Sequence, residues 1–171
     1  MKTLIMRTLT MKTGSYRIFL LIFLGLLTAF GPFVTDMYLP ALPAMIDMFG
    51  TNTSMVQLSL TSCMVGLAAG QLLFGPMSDR YGRKPVLSWT LFLFILSTLL
   101  CLFSADIYLF VIFRLFQGIA AAGSIVIARS ISTDMFTGRE LARVLAIVGS
   151  INGIAPVLAP VLGGAMTEVG G

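Results

Sequence analysis

Apolar runs long enough to cross a membrane recur along this chain, and they restrict its fold more than any other feature. A backbone in lipid must satisfy its own hydrogen bonds, which leaves helices and closed barrels, and a helix needs about 20 predominantly apolar residues to cross. Five runs qualify, at approximately residues 18–42, 54–77, 85–104, 107–128 and 144–166. They lack the alternation and the short segments, about 10 residues each, of barrel strands. The expected fold is therefore all-α, a polytopic transmembrane bundle preceded by a short segment at residues 1–17.

Only 11% of the residues are charged against 57% hydrophobic, and the charges cluster between the runs. Lys2, Arg7, Lys12 and Arg17 precede the first run; Arg80, Arg83 and Lys84 separate the second from the third; Arg129, Arg139 and Arg143 flank the loop after the fourth. The opposite loops hold Asp47, Asp106 and Glu168 and no Lys or Arg. Excess Lys and Arg marks cytoplasmic loops, so the N-terminus is expected in the cytoplasm. A net charge of +4 distributed this way points to a lipid bilayer and not to nucleic acid. The basic start resembles a signal peptide, but no small-residue cleavage pattern follows; the run continues through Gly31 and Pro32 to Asp36. Met1, Met6 and Met11 are alternative starts.

The chain has no histidine, which excludes His-based metal sites, Ser-His and Cys-His nucleophile pairs and the usual near-neutral proton switch. Proton chemistry must fall on carboxylates. Cys63 and Cys101 sit inside apolar runs without metal or redox spacing and read as small hydrophobes. Nothing here suggests a cofactor, a metal or an enzyme.

An ionisable group inside a span costs at least about 2.5 kcal/mol, so each needs a reason to be there. Asp36 near the end of the first run and Arg114 near the start of the fourth fall at one depth, roughly 10 Å below the same surface at the helical rise. One reading is a polar cavity in which a carboxylate takes up and releases a proton while an arginine tunes it. The other is a structural ion pair, or an Asp36 that marks an early helix end beside Pro40 and Pro43. Gln117, a turn after Arg114, shares its face. Gly66, Gly70, Gly118 and Gly123 offer faces for close helix approach. Gly149, Gly153, Pro156, Pro160, Gly163 and Gly164 predict a bent fifth helix.

Four segments carry a family resemblance. Gly75-Pro76-Met77-Ser78-Asp79-Arg80-Tyr81-Gly82-Arg83-Lys84 resembles the cytoplasmic signature of the major facilitator superfamily: a glycine, an aspartate four residues on, then a glycine and two basic residues. Asp36-Met37-Tyr38-Leu39-Pro40-Ala41-Leu42-Pro43 resembles the end of the first helix in the Bcr/CflA group of multidrug exporters. Arg114-Leu115-Phe116-Gln117-Gly118 resembles the fourth-helix motif, in which the family places an arginine implicated in proton transfer. The run from Gly149 to Gly164 resembles the antiporter signature of the fifth helix, with Ala159 where the wider pattern has glycine.

The resemblance runs from about Tyr16 to the last residue and covers the first five helices of the family's fold. It implies a proton-coupled antiporter that exports small amphipathic drugs or metabolites across the bacterial inner membrane, with further C-terminal helices needed to complete its cavity. Asp36 would be the protonation site, Arg114 would tune it, and Tyr38 and Gln117 would line the path. Asp79, Arg80, Arg83 and Lys84 would form a latch holding the two halves of the transporter in the outward-open state. The fifth helix would pack closely and seal the cavity against proton leak. The alternative is a non-transporting, truncated membrane module that packs with other membrane proteins.

Overall fold

The computed structural model describes the backbone of residues 14–170 and the side chains of residues 17–168. The alternative starts and the first three basic residues lie outside that range. The described residues form α1 (Gly14–Asp36), a 3-10 turn (Leu39–Ala41), α2 (Leu42–Phe49), α3 (Thr53–Tyr81), α4 (Arg83–Leu102), α5 (Ile107–Met135) and α6 (Gly138–Gly170), with no strand among them. Among the described residues, five stretches are long and apolar enough to cross a membrane: Arg17–Phe49, spanning α1 and α2, and then α3, α4, α5 and α6 in turn. Large side chains such as Leu72, Trp89, Phe103 and Val161 stand on the outer surface, as a lipid solvent allows.

The first apolar run is not one helix. Proline lacks an N–H, and its ring clashes with the carbonyl four residues back. For Pro40 that carbonyl belongs to Asp36, where α1 stops. The chain turns through Met37 and Tyr38, passes the 3-10 turn and resumes as α2. Two other boundaries depart from the charge pattern. α5 continues to Met135 and α6 begins at Gly138, so Arg129 lies inside α5 and Arg139 and Arg143 lie in the first turns of α6. A charge ends an apolar run without ending a helix, because nothing in the residues after Ala128 breaks the backbone ladder. α6 stays helical through both Pro156 and Pro160.

α5 is the axis of the bundle: 61% of its apolar window is buried, against 17–44% for the other spans. It packs most extensively on α3, then on α4 and α1, while α6 packs mainly on α1. Missing side chains make the α3–α5 contact possible. A Cβ on Gly66 would meet the Leu115 carbonyl, one on Gly70 the Ile119 carbonyl, and one on Gly118 the Cys63 carbonyl. Leu24 and Leu27 of α1, Ala128 of α5, and Val144 and Val148 of α6 form a core toward the end carrying the basic residues. Val56, Ile107 and Phe110 form another at the opposite end, with Tyr38 and Phe49 against it. Among the described residues, the glycines of α6 differ in what they face. Gly163 abuts the Met37 carbonyl, whereas Gly149, Gly153 and Gly164 face no atom within 4 Å.

Candidate functional site: a buried arginine beside an apolar cavity

The early end of α1 creates the site. Carbonyls in the last turn of a helix have no intrahelical donor left, and Val34 lies in that turn. Arg114 Nη2 donates to the Val34 carbonyl at 3.1 Å, and Nη1 donates to Gln117 Oε1 at 2.7 Å. Gln117 Nε2 in turn donates to Thr98 Oγ1 at 2.8 Å, which brings α4 into the same network. The guanidinium carbon stands 4.3 Å from the centre of the Tyr38 ring. In a desolvated site such a cation–π contact is worth about 2 kcal/mol. The Tyr38 hydroxyl pairs with Ser59 Oγ at 2.8 Å, anchoring the ring to α3.

Arg114 is only 5% exposed, and its Nε has no hydrogen-bond partner. No carboxylate among the described residues lies within ion-pair distance of it. Arg114 and Gln117 line a cavity of about 690 Å³ whose other walls are largely apolar, including Phe30, Phe94 and Met166. Tyr38 lines it as well.

The structure thus brings Arg114, Gln117 and Tyr38 together and leaves Asp36 apart. Asp36 Oδ1 accepts from Thr35 Oγ1 at 2.9 Å, and the residue is not part of the cavity wall. Equal depth does not produce contact because Asp36 is two positions beyond Val34, and residues so spaced do not share a helix face. Val34 itself is buried against Cys63 of α3 and Ala121 of α5. The Thr35 hydroxyl also lies 3.1 Å from the Gly31 carbonyl and 3.4 Å from the Pro32 carbonyl, so its single proton has three acceptors to choose between.

At the basic end, Arg83 organises the signature loop. Its Nε donates to Asp134 Oδ2 at 2.9 Å, while Nη1 pairs with Asp79 Oδ1 at 2.6 Å and donates to Ser78 Oγ. Ser78 Oγ donates to the Gly75 carbonyl at 2.9 Å, and a Cβ on Gly75 would meet nothing within 4 Å. Arg80 lies 5.5 Å from the Tyr81 ring centre, and Lys84 makes no ion pair among the described residues. Gly82 alone joins α3 to α4, at φ 94° and ψ 156°, a region essentially closed to other residues.

Sequence reasoning missed Asp134, Thr98, Ser59 and the Val34 carbonyl. Asp134 had a signal, as an acid among the basic residues of that side. The others are uncharged groups that become partners only through packing.

Fold and site define a polytopic helical membrane protein with a polar network buried beside an apolar cavity. The profile of the Major Facilitator Superfamily matches residues 17–171, and the chain belongs to that superfamily, a class of transporters and not of enzymes. The chain is 44% identical over 154 residues to the MFS-type transporter YdgK of Bacillus subtilis, covering 90% of this chain and 38% of that protein. It is 38% identical over 129 residues to a chloramphenicol resistance protein of Pseudomonas aeruginosa, covering 75% and 31% respectively. It is 37% identical over 128 residues to the multidrug resistance protein MdtL of Klebsiella pneumoniae, covering 75% and 33%. The chain therefore spans between 31% and 38% of the length of these curated relatives.

Proposed function

We infer that this chain contributes one wall of a proton-coupled antiporter that exports small amphipathic drugs or metabolites across the bacterial inner membrane, with its N-terminus in the cytoplasm. The observation that carries the reading is Arg114, a buried cation without a carboxylate partner among the described residues, facing an apolar cavity and gripping the last turn of α1. A charge held in that position is expensive, and an intramembrane ionisable residue therefore marks a functional site by default. The drug-resistance names of two relatives support a drug-like substrate.

Asp36 supplies the proton site in this reading. An ionised Asp36 accepts the Thr35 proton; a protonated one donates to Thr35 Oγ1, whose own proton then turns to the Gly31 carbonyl. Loading a proton therefore rearranges hydrogen bonds in the same helical turn whose Val34 carbonyl Arg114 holds. The Arg83 network with Asp79 and Asp134 fixes the α3–α4 loop to the end of α5. That arrangement leaves Arg80 and Lys84 available for the other half of a transporter.

Proteoliposomes carrying the transporter of which this segment is part test the reading. Ethidium should move only when a proton gradient is imposed. Gradient-independent movement would sink the coupling, and absence of flux would favour the module that merely packs with other membrane proteins. Orientation has its own test. An impermeant thiol reagent applied to intact cells should label cysteines placed at Asn52 or Ala105 and spare one placed at Tyr81; the reverse pattern would invert the topology.

A further inference from the structure

Arg114, Gln117 and Thr98 form a chain of hydrogen bonds whose directions the donor inventory fixes. A guanidinium only donates, so Arg114 Nη1, 2.7 Å from the Gln117 amide, must meet its oxygen. The opposite amide orientation would set two N–H donors face to face. With Oε1 turned to the arginine, Nε2 points at Thr98 Oγ1, 2.8 Å away, and needs an acceptor there. Thr98 can be one because its single proton is already committed. Oγ1 lies 2.7 Å from the Phe94 carbonyl, which can only accept. Every donor then runs in one sense, from Arg114 through Gln117 and Thr98 to the main chain of α4.

Gln117 is only 7% exposed, so water does not replace a partner that its amide loses. Thr98 is the point at which α4, the least buried of the spans, enters the network. Thr98 itself is exposed, and a valine there keeps the shape without repacking a core. Valine has no acceptor, however. Nε2 would become a buried donor without a partner, and the amide would be free to turn its N–H groups toward Arg114 and break the Nη1 bond. The neighbouring Ser97 isolates what is particular to Thr98. Its hydroxyl donates to the same Phe94 carbonyl, at 3.0 Å, and among the described residues its hydrogen bonding ends there.

We propose that Thr98 is a positioning residue for Arg114: its hydroxyl, turned to the Phe94 carbonyl, sets the Gln117 amide so that Oε1 holds the guanidinium in place on the Val34 carbonyl. The role rests on the exporter reading only in giving Arg114 a part in coupling; the orienting contact does not depend on it.

Two measurements separate the contact from the function. In this chain, carrying isotope-labelled arginine in lipid nanodiscs, the Arg114 side-chain NMR signals are identified by their loss in R114K. Rotation about the Cζ–Nη1 bond should be slow in the parent chain, in T98S and in S97A, and fast in T98V. In proteoliposomes carrying the transporter of which this segment is part, gradient-driven ethidium flux should fall about tenfold in T98V and stay within about twofold of the parent in T98S and S97A. T98V should cost nothing further in a Q117L background, because a residue that acts through Gln117 has nothing left to orient there. A merely structural Thr98 gives losses that add. Slow rotation retained in T98V, an equal loss in T98S, or additive losses with Q117L would overturn the role. The expected NMR pattern with no gradient-driven flux in the parent transporter would instead overturn the exporter reading and leave the orienting contact standing.

Discussion

Arg114 holds the main-chain carbonyl of Val34 at 3.1 Å, in the last turn that α1 completes before Pro40 ends it. The contact couples a proline break in one helix to a buried cation in another. It places the charge at a joint, since the chain beyond Asp36 changes direction and Gly163 of α6 packs on the Met37 carbonyl just past it.

Replacing Arg114 by lysine tests the joint. An ammonium keeps the charge but cannot bridge Gln117 Oε1 and the Val34 carbonyl with one planar fork. Proton-driven flux in the transporter containing R114K should fall at least about tenfold while insertion is retained, because a transition-state loss of about 1.4 kcal/mol suffices for that. Undiminished flux would show that charge alone matters and that the geometry is incidental.

Gly118 and Gly149 should respond oppositely to alanine. A Cβ on Gly118 would enter the Cys63 main chain, which cannot swing aside, whereas one on Gly149 meets nothing within 4 Å. Thermal unfolding of this chain should show G118A destabilised by about 1–3 kcal/mol. G149A should be neutral or stabilised by up to about 1 kcal/mol, because alanine is the better helix former. Equal losses at both positions would contradict the packing described here.

The sequence made the spans legible because apolar length is a local property, and the buried cation because one arginine stood inside a run. Helix ends were less legible: Arg129 closes an apolar stretch yet continues α5, since charge leaves the backbone ladder unbroken. The depth of Asp36 and Arg114 followed from the helical rise, but their separation depends on which way each faces, and that is set by how α1 packs on α5. Thr98 and Ser59 carry no charge, so nothing along the chain separates a partner from a tolerated polar residue. The Arg83–Asp134 pair joins residues far apart in sequence and exists only through the α3–α5 and α4–α5 contacts.

Gly82 should fail through its backbone and not through space. Its φ of 94° and ψ of 156° cost a side-chain-bearing residue about 1–3 kcal/mol, while the nearest atom to an added Cβ is Pro85 Cδ at 3.8 Å. G82A and G82V should therefore lower the thermal midpoint by similar amounts and reduce transport while still inserting. A much larger loss for valine would point to a steric cause.

The loop network should show a graded response. Asp134→Asn removes one half-exposed partner of Arg83 and should cost under about 1 kcal/mol, with the difference fading at high salt. Arg83→Gln removes the bonds to Asp134, Asp79 and Ser78 together and should cost more than Asp134→Asn in thermal denaturation at low salt. Equal midpoints for the two variants would mean that the contacts to Asp79 and Ser78 contribute nothing.

Asp36 is the carboxylate at the end of α1's apolar run, and no histidine is present to share its role. Its exchange of roles with the Thr35 hydroxyl depends on gaining and losing a proton, and the neighbouring carbonyl of Val34 is the one Arg114 grips. Asparagine preserves the shape and can donate to Thr35 Oγ1 as a protonated carboxyl would, yet it never changes charge. In the transporter containing this segment, Asp36→Asn should insert normally and bind neutral substrate, while its flux no longer responds to an imposed proton gradient and is flat across pH 5 to 8, the range of roughly neutral working conditions. Flux that keeps its gradient and pH dependence in Asp36→Asn would place the coupling carboxylate outside these residues and leave Asp36 as the terminus of α1.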